Sequence, residues 1–593
     1  MKKLITVLLT ATLLIACSDY AADTLEDANK AHKKNNYTQA IKLLKPLALK
    51  GNADAQYDLG TMYGDGQDVA QDYVEAVRWY KLAAAQGYAK AQNNLGVMYR
   101  NEQGVAQDYV EAVRWYRLAA AQGYVEAQYN LGTMYDNGQG VAQDYIEAVK
   151  WWKLAAAQGY AKAQNNLGIM YGVGEGVKQD YVEAAKWWKL AAAQGNADAQ
   201  FNLGTMYGNG QGVAQDYVEA VRWYKLAAAQ GVADAQYNLG LMYSKGKGVA
   251  QDYVEAVRWY KLAAAQGHAS TQYNLGVKYD NGQGVAQDYV EAFKWYKLAA
   301  AQGDADAQFN LGNMYSKGQG VAQDYAKAVR WYKLAAAQGN ASAQYNLGTM
   351  YDEGIGVAQD YAKAVRWYKL ATAQGDERAQ SNLGVMYDNG QGVAQDYVEA
   401  VRWYKLAAAQ GNASAQFNLG VMYGNGRGVA QDYVEAVRWY KLAAAQGNAI
   451  AQSNLGYMYS NGQGVKQDYV EAVRWYKLAA AQGYAKAQYN LGGMYNKGQG
   501  VAQDYVEAFK WCKLAAAQGY AAAQYYLGLM YSKGKGVAQD YVGAYMWFNL
   551  AAITGNKGAV KSRDLAASRM TQQQLAQAQK LAKECLARNY KDC

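Results

Sequence analysis

From Ala55 onward the chain repeats itself every 36 residues, with units starting at 55, 91, 127 and so on to 523, fourteen copies without one insertion or deletion. The third copy, Ala127 to Lys162, reads AQYNLGTMYDNGQGVAQDYIEAVKWWKLAAAQGYAK. A unit this short cannot bury its own apolar faces, whereas stacked neighbours can, so a strict period of this length commits the chain to a repeat array. The lopsided composition follows from that copying: 62 Gly, 56 Tyr and 16 Trp stand beside one Pro (Pro46), six Phe and two His in 593 residues.

Each unit reads as two helices. In the first copy, helix A is predicted from about Ala53 to Tyr63, with Ala55, Leu59 and Tyr63 as an apolar stripe at helical spacing. Gly60 falls inside that helix and recurs in all fourteen copies. Gly there costs about 1 kcal/mol against Ala, so its recurrence points to close approach of a neighbouring helix. Gly66 ends helix A. Asp72-Tyr73-Val74-Glu75 opens helix B as a capping box, the Asp accepting from free N–H groups and the Glu reaching back. Ala76, Val77, Tyr80 and Ala83 or Ala84 continue at helical spacing, Trp79 recurs in every copy, and Gly87 follows the helix end.

Ala55, Leu59, Gly60, Tyr63, Gly66, Val69, Asp72, Ala76, Trp79, Tyr80, Ala83, Ala84, Gly87 and Ala91 together resemble the Sel-one-like repeat (SLR), a relative of the tetratricopeptide repeat longer by two residues. The resemblance covers residues 55–558 in register. It implies an all-α, right-handed α-α superhelical solenoid of antiparallel helix pairs, with the A helices lining the concave wall and the B helices the convex one. Departures are few: Glu102 and Asp68 replace turn glycines, Lys278 the usual Met and Thr271 the first Ala, and local looseness is expected there. Residues 25–50 read as a divergent opening helix pair within 17–54. Thr571-x-x-Gln574 begins a capping helix in 559–593, with Leu575, Ala578, Leu581, Ala582, Cys585 and Leu586 on one side.

The start of the chain is different in kind. Lys2 and Lys3 precede an apolar run, Leu4 to Ala16, long enough for a signal-peptide core and too short to span a bilayer as a helix. Leu14-Ile15-Ala16-Cys17 resembles the bacterial lipobox, in which the Cys is lipidated; ordinary cleavage with Cys17 incidental is the alternative. Residues 1–16 are thus expected to be a lipoprotein-type signal peptide. Ser18 after the Cys implies, by the same resemblance, an outer-membrane protein facing the periplasm, with soluble periplasmic or secreted protein as the other outcome. A lipid anchor would be the only membrane contact.

Charge narrows the partners. The formal net charge is +9, but residues 556–593 alone hold eight Lys/Arg and three Asp/Glu, and the repeats are close to neutral. A nucleic-acid binder needs a dense basic stripe, which the repeats lack. Among SLR relatives, cysteines eight residues apart pair across a helix corner, which implies a Cys585–Cys593 disulfide in an oxidising compartment; two free thiols are the alternative. Cys512 stands where other copies carry Tyr, Trp or Phe and reads as a core substitution. No His lies near these cysteines, so no metal site is expected, and no cofactor.

Nor does the chain offer a catalytic constellation. His32 and His268 are isolated and read as surface residues. Ser244-Lys245-Gly246-Lys247 and Ser532-Lys533-Gly534-Lys535 match S-x-x-K formally, but in the A–B turn and without S-D-N or K-T-G companions. The chain therefore reads as non-enzymatic. A stripe on the predicted outer arc of helix A remains. The Tyr57 position is aromatic in ten copies, including Tyr129, Phe201, Tyr237, Phe309, Tyr345, Phe417 and Tyr489. The next position is Asn in twelve: Asn94, Asn130, Asn166, Asn202, Asn238, Asn274, Asn310, Asn346, Asn382, Asn418, Asn454 and Asn490. The Thr61 position varies freely, as Val97, Leu241, Asn313, Tyr457 and Gly493. Asn amides in a ladder can hold an extended peptide, with aromatics adding apolar area and the variable position selecting side chains. The alternative is architectural, the Asn bonding the adjacent repeat and the aromatic wedging between neighbouring A helices. The function expected is a protein- or peptide-binding scaffold in the bacterial envelope; an envelope hydrolase that interacts with penicillin, or a secreted host-contact factor, are the alternatives.

Overall fold

In the computed structural model, which describes residues 24–67, 69–555, 557–590 and 593, every copy forms the two expected helices. In the first copy they are Ala53–Asp65 (helix A) and Tyr73–Ala85 (helix B), so helix A runs one half-turn further than its apolar stripe. No strand occurs among the described residues. The expected signal peptide at 1–16, the lipidation residue Cys17 and Asp68 lie outside the described residues. The chain divides into two compact units, Met1–Trp295 and Tyr296–Cys593. Within each, helix A packs on helix B of its own copy and helix B on helix A of the next, giving a repeat solenoid of paired helices.

A helix leaves free N–H groups at its start and free carbonyls at its end, and the repeat carries side chains for some of them. Asp72 Oδ1 accepts from the N–H groups of Val74 (2.9 Å) and Glu75 (3.0 Å). The second half of the expected capping box does not form. The Asp72 N–H already donates to the Tyr63 carbonyl at 2.9 Å, so Glu75 turns to Arg78 at 3.2 Å instead. Gln71 Nε2 donates to the Gly64 carbonyl (2.8 Å) at the end of helix A. The complete box forms at Thr571 and Gln574, which exchange bonds of 2.9 and 3.2 Å at the start of the last helix, Gln572–Ala587.

The join between copies is made by a buried glutamine. Gln92, 4% exposed, donates from Nε2 to the Ala84 carbonyl in the last turn of the preceding helix B (3.1 Å), and its Oε1 accepts from Gln122 Nε2 at the end of its own helix B (2.8 Å). Gln344 does the same with the Ala336 carbonyl (3.2 Å) and Gln374 (2.8 Å). One side chain thus ties three helices. In the last copy Thr554 stands where the second Gln belongs and bonds the Ala551 carbonyl (2.7 Å). Gln524 Oε1 is left buried without a partner there, and the ladder stops.

Around these bonds the core is small and close. Ala55 and Leu59 are fully buried, and Met62, which flanks Ala55 on the helical wheel on the side away from Leu59, completes the stripe; Tyr63 is only half-buried at its edge. A Cβ on Gly60 would stand 2.7 Å from the Tyr80 ring, which is the close approach its recurrence demands. The second turn glycine answers to the neighbouring copy: Gly104 has φ +69°, and a Cβ there would meet the Tyr73 carbonyl oxygen at 2.2 Å.

Glu102, Thr271 and Lys278, the described departures, each find defined partners. Glu102 keeps the left-handed cap of the glycine it replaces, with φ 58° and its N–H on the Met98 carbonyl. Thr271 is fully buried, its hydroxyl 2.7 Å from His268 Nδ1. Lys278 is 7% exposed; its Nζ donates to Ser244 Oγ and Gln283 Oε1, both at 2.9 Å, and lies 4.2 Å from the Tyr253 ring centroid. Polar partners within one side-chain length explain why the Met position tolerates a cation.

At the chain ends, helices at 24–33 and Tyr37–Leu49 precede the first copy. In the last helix Ala578, Ala582 and Cys585 are buried, while Leu581 and Leu586 remain 37% and 42% exposed. Cys585 and Cys593 are disulfide-bonded. Cys512 occupies the Tyr80 position, fully buried, and burial pushes its thiol up to about 12.

Two outcomes follow. Gln344→Met keeps the volume but strands the buried Ala336 carbonyl, at a cost of about 1–3 kcal/mol, and releases the exposed Gln374 amide to water; hydrogen exchange should accelerate in the helices of that copy far more than in distant ones. Burial lowers the Lys278 amine below its ordinary value, so the unfolded chain binds the proton more readily. The wild type should therefore gain stability relative to Lys278→Met as pH climbs from that lowered value towards 10.5. The difference between the urea midpoints of the two proteins at pH 7 and 10 reads this gain.

Candidate functional site

The Asn and aromatic stripe is half-buried at every one of its predicted positions. Asn94 Nδ2 donates to the Tyr80 hydroxyl of the preceding copy at 3.2 Å, and Asn382 to Tyr368 at 3.1 Å. Asn130 and Asn346 instead donate to Asn93 and Asn313, at 3.0 and 3.4 Å. Asn238, Asn418, Asn454 and Asn490 lie near the hydroxyls of Tyr224, Tyr404, Tyr440 and Tyr476 and favour their ionised form. Burial pushes Tyr440 and Tyr476 up to about 12, and the Asn amide opposes the shift. Asp58, which holds this position in the first copy, is pushed up to about 6 by burial, reinforced by Asp54. The position is therefore partly desolvated, and one amide N–H ties adjacent copies.

The aromatic of the stripe packs inward too, against helix B of its own copy and, in several copies, against the opening turns of the next helix A, as Tyr489 does with Tyr526 at 6.2 Å. Ring centroids are 6.0 Å apart for Phe201 and Tyr224, 6.3 Å for Tyr237 and Tyr260, 5.9 Å for Phe309 and Tyr332, 6.1 Å for Tyr345 and Tyr368, and 6.0 Å for Phe417 and Tyr440. Tyr129 and Tyr489 meet Tyr160 and Tyr520 at 5.2 and 5.5 Å. Asn166, Asn202, Asn274 and Asn310 share the same half-buried register.

At the variable position Ile169 and Tyr457 are exposed, 41% and 50%, and the other copies are half-buried. Thr61 and Asn313 are half-buried and accept from the Tyr80 and Tyr332 hydroxyls at 3.1 and 2.7 Å. The surface that helix A presents is thus a fixed frame of amides and rings with one copy-specific side chain projecting from it.

The two S-x-x-K matches bring no Ser–Lys pair of that spacing together. Lys247 Nζ lies 5.0 Å from the Tyr217 ring centroid and Lys535 Nζ 4.7 Å from that of Tyr505. Ser532 Oγ donates to the Leu529 carbonyl. Among the described residues no group of three or more His, Cys, Asp or Glu could hold a metal ion. His268 is more than a surface residue. Its Nδ1 accepts from the Thr271 N–H at 3.2 Å and so caps the helix Ala269–Asn281, its Nε2 is 3.1 Å from Asp234, and its ring stacks on Tyr237 at 4.8 Å. Neighbouring sequence gave no signal of this, because Asp234 and Tyr237 lie on the preceding helix A, Ala233–Lys245, distant along the chain. The buried Gln ladder also escaped the sequence reading, although an unvarying Gln beside core Ala was its signal.

The Sel1 repeat family matches fourteen consecutive segments of the chain, from residues 53–88 to 521–556. A protective antigen present in uropathogenic Escherichia coli strains, displaying an SLR fold, is 40% identical; the match covers 74% of this chain and 95% of that one, with a TM-score of 0.70. A Sel1 repeat protein from Oxalobacter formigenes is 37% identical, over 52% of this chain and 89% of its own, with a TM-score of 0.43. A comparison with curated proteins gives no match. With its fourteen matched repeats covering most of its length, the chain belongs to the Sel1 repeat family.

Proposed function

We propose that this protein is a non-enzymatic adaptor of the bacterial cell envelope, anchored through Cys17, that holds protein or peptide partners along its A helices. The observation that carries the reading is the contrast between a frame that repeats in register and a Thr61 position that differs from copy to copy. Such a surface presents one side chain per copy from the same point of helix A, among them Ile169 and Tyr457. The Asn carbonyls and the aromatic edges flank it, where they can contact a partner's backbone and apolar side chains. The argument from fold to binding is one of analogy; the argument for this face is local.

A second reading has its own support. The relative from uropathogenic Escherichia coli is a protective antigen, which favours exposure of the present chain at the cell surface and contact with a host.

A photoreactive residue at Tyr457 should capture a discrete partner in cells, while one at Arg474, on helix B, should not. Capture of one broad set of proteins by both would sink the adaptor reading. Protease added to intact cells should leave a periplasm-facing chain whole; its cleavage would favour the host-contact reading.

A further inference from the structure

The last repeat ends against a helix, Lys557–Ala567, that continues the register of helix A with smaller side chains. Ala559 stands where the last copy has Ala523, and both are fully buried. Ser562, however, stands at the register position of the Asn stripe, and Ala566 at that of Met530, which is 2% exposed. The crevice between this helix and the last repeat is therefore underfilled, and a cavity of about 210 Å³ opens there.

Its apolar side is made by Leu529, Phe548 and Ala566, with Leu565, 60% exposed, as one lip. Across from it the cavity is rich in donors. The Arg569 guanidinium lies over the Tyr541 ring at 5.6 Å and donates from Nη1 to the Tyr541 hydroxyl at 2.9 Å. Gln539 Nε2 donates to the same oxygen at 3.1 Å. With both lone pairs of that hydroxyl occupied, its hydrogen is left to donate outward. Lys533 adds a second cation, and no carboxylate lines the cavity.

We propose that this cavity binds a carboxylate carried on a short apolar stem, either the C-terminal residue of a peptide or a free acid. Arg569, Lys533 and the Tyr541 hydroxyl take the carboxylate through charge-assisted bonds, and the stem covers Leu529 and Leu565. The volume lies below the roughly 300–1,000 Å³ typical of sites for drug-sized ligands, so it accommodates one side chain and not a long acyl chain. The proposal shares only the class of partner with the adaptor reading, since Tyr457 belongs to another copy; failure of either experiment leaves the other conclusion standing.

The test uses the full chain and a fluorescein-labelled hexapeptide ending in Ala-Leu, as free acid and as amide, followed by fluorescence polarisation. The acid should bind at least tenfold tighter than the amide. Arg569→Ala, which removes an exposed cation, and Ala566→Met, which fills the cavity with the residue of the repeats, should each weaken the acid at least tenfold with the melting temperature unchanged. N-acetyl-leucine separates the two sources: displacement at the peptide's own concentration supports a free acid as the ligand, and displacement only by peptide supports a chain end. Equal binding of acid and amide, or an Ala566→Met protein that binds as before, would overturn the proposal.

Discussion

The stack rests on a hydrogen-bonded amide inside an apolar core. Gln92 and its equivalents bind a last-turn carbonyl of the preceding helix B and accept from the glutamine that ends their own. A helix end buried against a neighbour leaves carbonyls that water cannot reach, and each unpaired one is costly. Because the same side chain meets that need and joins three helices, the spacing between copies is set by hydrogen-bond geometry as well as by packing. An amide cannot slip along its partner as a methyl group can. That constraint accounts for a period kept without insertion through fourteen copies.

Two glycines set how close the copies come. Gly60 admits the Tyr80 ring within a copy, and Gly104 admits the Tyr73 carbonyl between copies. Tyr80 in turn offers its hydroxyl to Thr61 and takes a bond from Asn94 of the next copy. The ring that demands a glycine on one side thus holds the Asn stripe on the other. A residue that looked like a ligand contact and one that looked like a packing device belong to one network.

The same network explains why departures are tolerated. Lys278 finds Ser244, Gln283 and the Tyr253 ring within reach of a Met-sized pocket. His268 takes over an N-cap that Asn52 performs in the first copy. Cys512 fills the Tyr80 position with a smaller side chain, and its sulfur still lies against Gly492. Each substitution is local, because every copy meets only its neighbours. The cap helix differs: with Ala566 and Ser562 in place of larger residues it closes the stack incompletely, next to Arg569.

The 36-residue period and the apolar stripes determined the helix pairs, their stacking and the family, since periodicity and turn chemistry are local properties written once per copy. Asp72 as a cap, Gly66 as a stop and Thr571 with Gln574 as a capping box were legible for the same reason. The burial of the Asn and aromatic stripe, the failure of Glu75 to reach back and the partners of His268 were not. Each depends on an atom from another helix: the Tyr80 hydroxyl, the Tyr63 carbonyl, the Asp234 carboxylate. A helical wheel assigns an angle, but only the packed neighbour decides whether that angle meets water or a side chain.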